Sequence, residues 1–193
     1  MIELEEALRE LRAGRPIVMP TETVYGLAAS PVRASIDLLF ALKGRPTTKA
    51  IPILGRDVDA LAEVVVFDRS AQRLAERFWP GPLTLVLPRA TSFDIYLGEG
   101  EPGVAVRVPD DPIAGEVLGA SGILAVTSAN RSGEAPARTI DEAKAAFGGD
   151  VRVYLDGGPR AGRPSTLLSL VGSPRVLREG PVARLDILQC VEG

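Results

Sequence analysis

Apolar and polar positions along this chain follow two periods, and the switches between them lay out its elements. In IELEEALRELRAG, Leu4, Ala7, Leu8 and Leu11 fall on one helical face, glutamates favour the first turn, and Gly14 can end the helix. PIVMPT is a short apolar run that reads as a strand, after which Pro20 takes the chain off a regular ladder through TETVYGLAASP. RASIDLLFAL regains helical spacing up to Gly44, and AIPIL returns to a strand pattern.

Ser70 is placed to cap a helix running through Phe78, and WPGPLTLVLP then turns sharply into a strand rich in branched residues. GVAVRVP is another strand, followed by Asp111 and Pro112 as cap and first residue of a helix through Leu118. ILAVTSAN is a strand that ends in a polar loop, and Thr139 with Glu142 forms a capping-box pattern for TIDEAKAAF. VRVYLDGG, STLLSLV, PRVLRE and ARLDIL read as short strands. Helix-linked strands favour parallel pairing and consecutive late strands favour antiparallel pairing. The expected class is therefore α/β, with a twisted open mixed sheet, parallel and antiparallel, flanked by helices. A length of 193 residues suits a single domain over 1–193, and no repeat, low-complexity tract or linker interrupts it.

Composition narrows the chemistry. The chain contains no histidine, which removes the usual general base, the commonest metal ligand and the Ser-His or Cys-His nucleophile pairs. A catalyst built from it must use positioning, electrostatics, carboxylate or lysine chemistry, or a co-substrate that carries its own reactivity. A net charge of −3 argues against indiscriminate polyanion binding, although a local basic groove stays open. Cys190 is the only cysteine, so no intramolecular disulfide can form, and the polar opening segment does not read as a leader. A cytoplasmic location is expected. No apolar run approaches the roughly 20 residues needed to cross a bilayer, so no membrane association is expected.

Candidate chemistry gathers in the loops. Two of the three lysines, Lys43 and Lys49, lie with Arg45 in KGRPTTK, in a chain whose other positive charges are nearly all arginine. That run is either a solvated loop or an anion site combining a point charge with a planar fork. Thr21, Glu22, Thr23 and Tyr25 follow a strand, where their side chains either face a ligand or close a local turn. TSAN places Thr127, Ser128 and Asn130 at another strand end, as a nucleotide contact or an Asx-type turn. Arg107 is a charge within an apolar strand, so it faces solvent, pairs with an aspartate or binds an anion. Arg178 and the hydroxyl pair Ser165 and Thr166 have the same alternatives, whereas Asp156 before two glycines suits a turn better than a metal. GxxxxGK[ST] does not occur.

PTETVYGL, KGRPTTK, WPGPLT, VAVRVPD, TSANRSG, DGG with STLL, and VLREG, in that order, resemble the YrdC-type threonylcarbamoyl-AMP synthase family over most of the chain. The resemblance implies a YrdC-like fold in its short, single-domain form. It also implies a cytoplasmic nucleotidyltransferase making threonylcarbamoyl-AMP and pyrophosphate from L-threonine, bicarbonate and ATP. A separate transferase complex would use that product to modify adenosine 37 of tRNA, and weak direct tRNA contact is open. Carried over by position, Thr21, Arg107 and Ser165 would bind threonine, and Lys43, Arg45, Lys49, Ser128, Asn130, Arg138 and Arg178 would bind ATP. Lys43 and Arg45 would carry the catalytic charge neutralisation. Mg²⁺ is expected with ATP, held by phosphates and water, since no carboxylate cage is evident in the sequence. Two departures stand out: Asp111 where relatives often have histidine, and KAIPIL in place of a KPL-like continuation. The competing classes are an RNA-binding module with basic loops and a paralogue of the same fold acting on another small acid.

Overall fold

The computed structural model describes residues 2–99 and 102–192. Helix α1 (Ile2–Arg12) leads into β1 (Ile17–Met19) and β2 (Gly26–Ala29), and α2 (Arg33–Lys43) leads into β3 (Ile53–Leu54). After α3 (Val58–Ala62) and α4 (Arg69–Phe78) come β4 (Leu83–Leu87) and β5 (Val104–Arg107). Next are α5 (Pro112–Ser121), β6 (Leu124–Ser128) and α6 (Ile140–Phe147), then β7 (Thr166–Ser169), β8 (Arg175–Arg178) and α7 (Arg184–Glu192).

The strands form one sheet in the order β1-β2-β6-β3-β5-β4-β7-β8, parallel at β3·β5 and β4·β7 and antiparallel elsewhere. The expected mixed α/β sheet is therefore present. Alternation within each strand sorts its residues between two faces. Ile53, Leu85, Val106, Ala125 and Leu168 join Ile36 and Leu39 of α2 and Leu74 of α4 in the larger core. Burying each leucine or isoleucine contributes about 2 kcal/mol, which fixes this face inward. The opposite face packs against α1 and α5 near β1, β2, β6 and Leu54 of β3, through Ala7, Leu11, Val117 and Leu118. Across β3, β5, β4 and β7 that second face carries Leu54, Ala105, Val86 and Leu167, which line a cavity.

Several caps match the sequence pattern. Asp111 accepts the Ala114 N–H, with Pro112 next, and Thr139 accepts the Glu142 N–H. The Glu142 carboxylate returns to the N–H of Arg138, one residue before the cap, rather than to Thr139 itself. Other assignments change. Asp68, not Ser70, caps α4, because its carboxylate reaches the Ala71 N–H. The chain also regains a ladder soon after Pro20, as β2, where Gly26 is required for close approach: a Cβ there would lie 2.7 Å from Val126 Cγ1. ARLDIL is helix α7 rather than strand; Ile187 is buried and Cys190 and Val191 pack beside the core at helical spacing, with Leu185 exposed between turns. VRVYLDGG buries alternate residues as a strand would, but makes only one bridge, Tyr154 to Val18, along the edge of β1.

Candidate functional site

The uncovered half of the sheet forms a cavity of about 510 Å³. Its floor is the outward-facing set Leu54, Val86, Ala105, Val126 and Leu167, and its rim comes from the loops at the strand ends. An apolar floor with polar groups converging from several loops is the usual construction of a small-molecule site.

One end is built by the TETVYGL turn. Thr21 Oγ1 donates to the Val24 carbonyl at 2.7 Å and lies 3.0 Å from Thr23 Oγ1, so Thr21 both closes a local turn and lines the cavity. Arg107, the last residue of β5, reaches this turn. Its Nη1 donates to Thr23 Oγ1 at 3.3 Å, and its Nε donates to the Gly81 carbonyl at 3.1 Å. Its Nη2 sits 2.5 Å from Glu22 Oε2 but is not aligned for a hydrogen bond, and Glu22 Oε1 is buried without a hydrogen-bond partner. Arg107 is thus ion-paired through Glu22, and its pKa is lowered first by burial, with the Glu22 charge opposing that shift. Ser165 completes this side, its Oγ 2.7 Å from Thr84 Oγ1.

The other wall carries two further guanidinium groups. Arg178 grips the Ser165 carbonyl with Nε and Nη2, at 3.1 and 2.9 Å. Arg45 is set by the end of α2: Gly44 turns at φ 59° and the Arg45 N–H bonds to the Phe40 carbonyl. From there Arg45 donates to the carbonyls of Lys49 and Ala50, at 2.7 and 2.9 Å. Burial and then Arg178 lower the pKa of Arg45, and burial and then Arg107 lower that of Arg178. Arg178 thus neighbours both Arg45 and Arg107, and three cations lining one cavity make a strong field for an anion.

The sequence-predicted residues separate into two layers. Thr21, Arg45, Lys49, Arg107, Ser128, Ser165 and Arg178 line the cavity. Lys43 and Asn130 lie behind it. The Lys43 ammonium donates to Ser128 O at 2.6 Å, Asn130 O at 2.7 Å and Asn130 Oδ1 at 3.0 Å, which occupies all three of its protons. Ser128 Oγ in turn donates to Asn130 Oδ1 at 2.6 Å, and Asn130 Nδ2 to the carbonyls of Arg131 and Glu134. Burial, then the Arg45 charge, lowers the Lys43 pKa to about 8. KGRPTTK is therefore no free solvated loop at Lys43. Arg138 is exposed, its Nε 3.4 Å from the Arg160 carbonyl, outside the cavity wall.

Some participants escaped the sequence reading. Thr84 lines the cavity, and a hydroxyl inside PLTLVLP was its signal. Glu22 and Thr23 were visible at the strand end, but their link to Arg107 spans 84 or more residues and left no local trace. Asp156 takes part in a turn, accepting the Gly158 N–H at 2.8 Å. Among the described residues no group of three or more His, Cys, Asp or Glu side chains is arranged to hold a metal ion.

The Sua5/YciO/YrdC family, described as "Telomere recombination", matches residues 9–180. The chain belongs to that family. A Mycobacterium tuberculosis protein named for threonylcarbamoyl-AMP synthesis is 39% identical over 92% of this chain and 83% of its own length. The threonylcarbamoyl-AMP synthase of Methylobacillus flagellatus is 33% identical over 83% of this chain and 91% of its own length. Among solved structures, Pyrococcus abyssi Sua5 complexed with L-threonine superimposes with a TM-score of 0.92 at 33% identity, covering 97% of this chain. The chain spans only 57% of that Sua5 chain's length.

Proposed function

We propose that this family member is an L-threonylcarbamoyladenylate synthase, joining L-threonine, bicarbonate and ATP into threonylcarbamoyl-AMP with release of pyrophosphate. The observation that carries this reading is the succession of three guanidiniums, Arg107, Arg178 and Arg45, lining a hydroxyl-rimmed cavity, with Glu22 pairing the first. A substrate with a carboxylate at one end and a polyphosphate at the other matches that charge line. The naming of the relatives and the L-threonine complex of P. abyssi Sua5 support the same choice.

Threonine's carboxylate is assigned to Arg107, with Thr21 and Ser165 around its hydroxyl and amine. ATP is assigned to Arg45, Arg178, Lys49 and Ser128, and Arg138 extends that end from outside the cavity wall. Lys43 and Asn130 act one layer back, by holding Ser128 and the adjoining backbone.

The chemistry needs no histidine. Threonine's ammonium loses a proton, and its amine condenses with bicarbonate to give a carbamate and water. A carbamate oxygen then forms a bond to the α-phosphorus of ATP as the bond to pyrophosphate breaks. The protein's task is to align the two and stabilise charge moving onto pyrophosphate, for which Arg45 and Arg178 are placed. Among the described residues no carboxylate set is arranged for Mg²⁺, and an ion accompanying ATP is assigned to phosphates and water.

We further propose that residues 1–193 act as one catalytic domain in the cytoplasm, feeding a threonylcarbamoyl transferase acting on tRNA. A single cysteine is consistent with a reducing compartment, and no helix among the described residues is long and apolar enough to cross a membrane. The test is pyrophosphate release with all three substrates: release should collapse without threonine. Equal release without it would sink the assignment.

A further inference from the structure

Residues 156–164, DGGPRAGRP, form an irregular strap without helix or strand between the edge of β1 and the start of β7. Its first end is tied to Tyr25, whose hydroxyl is 3.0 Å from Asp156 Oδ1 and 2.9 Å from Gly158 O, and accepts the Gly157 N–H at 3.1 Å. Its far end reaches the site, because the Gly162 N–H donates to the Thr23 carbonyl at 2.9 Å and Pro164 lines the cavity.

Arg160 fixes the middle. Nη1 lies 2.9 Å from Asp111 Oδ2, in a pair whose side chains are only 13% and 2% exposed. Nη2 donates to the Gly157 carbonyl, and the Arg160 N–H donates to Arg138 O at 2.8 Å. A Cβ on Gly157 would fall 2.8 Å from Pro20 Cβ, so the strap lies close against the TETVYGL turn. Asp111 serves two structures at once, since its Oδ1 also accepts the Ala114 N–H at 3.0 Å to cap α5. It does not line the cavity.

Desolvating two charges offsets most of their attraction, so a buried pair is weak evidence for stability and better evidence for holding one geometry. The strap has no ladder hydrogen bonds, so its register rests on this pair together with the Tyr25 contacts at one end and the Gly162 N–H at the other. Ser165 beyond it has anchors of its own in Thr84 and Arg178, whereas the Thr23 carbonyl is held by the strap. Thr23 Oγ1 is the group that Arg107 Nη1 addresses.

We propose that Asp111 and Arg160 are positioning residues that, through the strap, set Thr23 and Arg107 for the amino-acid substrate, with a smaller effect on the nucleotide end through Arg138. This rests on the synthase reading given above. Asp111→Asn separates the two duties of Asp111, because asparagine caps a helix as well as aspartate does but cannot pair with Arg160 as an ion. Asp111→Asn, Arg160→Met and the double variant are assayed by pyrophosphate release at varied threonine and varied ATP, with melting temperatures in parallel. Each single variant should raise KM for threonine roughly tenfold or more and KM for ATP by a much smaller factor, and the double variant should be no worse than the worse single. Equal rises in both KM values, or lower melting temperatures with both KM values unchanged, would overturn the proposal. Absence of threonine-dependent release in the unsubstituted protein would remove the synthase reading, and this inference with it.

Discussion

The ammonium of Lys43, at the end of α2, donates to both the backbone and the side-chain oxygen of Asn130, at 2.7 and 3.0 Å. A lysine placed by sequence in an anion-binding loop thereby becomes the internal support of a second loop, 87 residues further along. Lys43→Met should destabilise the protein by about 2–4 kcal/mol, since it strands three acceptors of a charged donor, and turnover should fall with it. Urea unfolding of the variant against the unsubstituted protein measures this. A stability change near zero would mean that the Lys43 bonds do not support that loop.

What was legible in the sequence was mostly local. Helical periods, the Asp111 and Thr139 caps, the mixed sheet and the strand-end placement of the polar motifs all rest on neighbours within a few residues. The ion pairs that organise the site, Glu22 with Arg107 and Asp111 with Arg160, join residues 85 and 49 positions apart in the chain, and no periodicity encodes them. The misreading of ARLDIL has a different cause. Two apolar residues spaced by two look like a strand until Cys190 and Val191 extend the pattern to a helix turn later.

The pH dependence of stability should carry the mark of Lys43. Its pKa is lowered in the folded protein to about 8, against 10.5 for the free side chain. Between these values the unfolded chain binds more protons, so the Lys43 contribution rises with pH over that window and is lost as pH falls through about 8. The stability difference between the unsubstituted protein and Lys43→Met should therefore grow in favour of lysine from pH 8 to pH 10. Denaturant midpoints at those two pH values check the sign.

Arg107 and Glu22 make a coupled pair. Arg107→Met should raise KM for threonine by roughly 10- to 100-fold, the equivalent of one charge-assisted bond, and should also lower stability by leaving Glu22 half-buried and unpaired. Adding Glu22→Gln should recover part of the stability but none of the threonine affinity. Recovery of both would mean that Arg107 serves the fold and not the substrate.

Gly26→Ala tests the close approach of β2 and β6. A methyl group 2.7 Å from Val126 Cγ1 must displace that side chain, at a cost of about 1–3 kcal/mol. Val126→Ala in the same chain should relieve most of it. Thermal melts of the two singles and the double give the coupling directly.

In the proposed reaction the three guanidiniums direct attack on the α-phosphorus of ATP by a carbamate made from threonine. Phosphorus NMR of the reaction with threonine and ¹³C-bicarbonate, joined to mass analysis of the nucleotide product, tests it most directly. Pyrophosphate should appear together with an adenylate that carries both threonine and the ¹³C label. ADP with inorganic phosphate, or AMP with neither group attached, would contradict it.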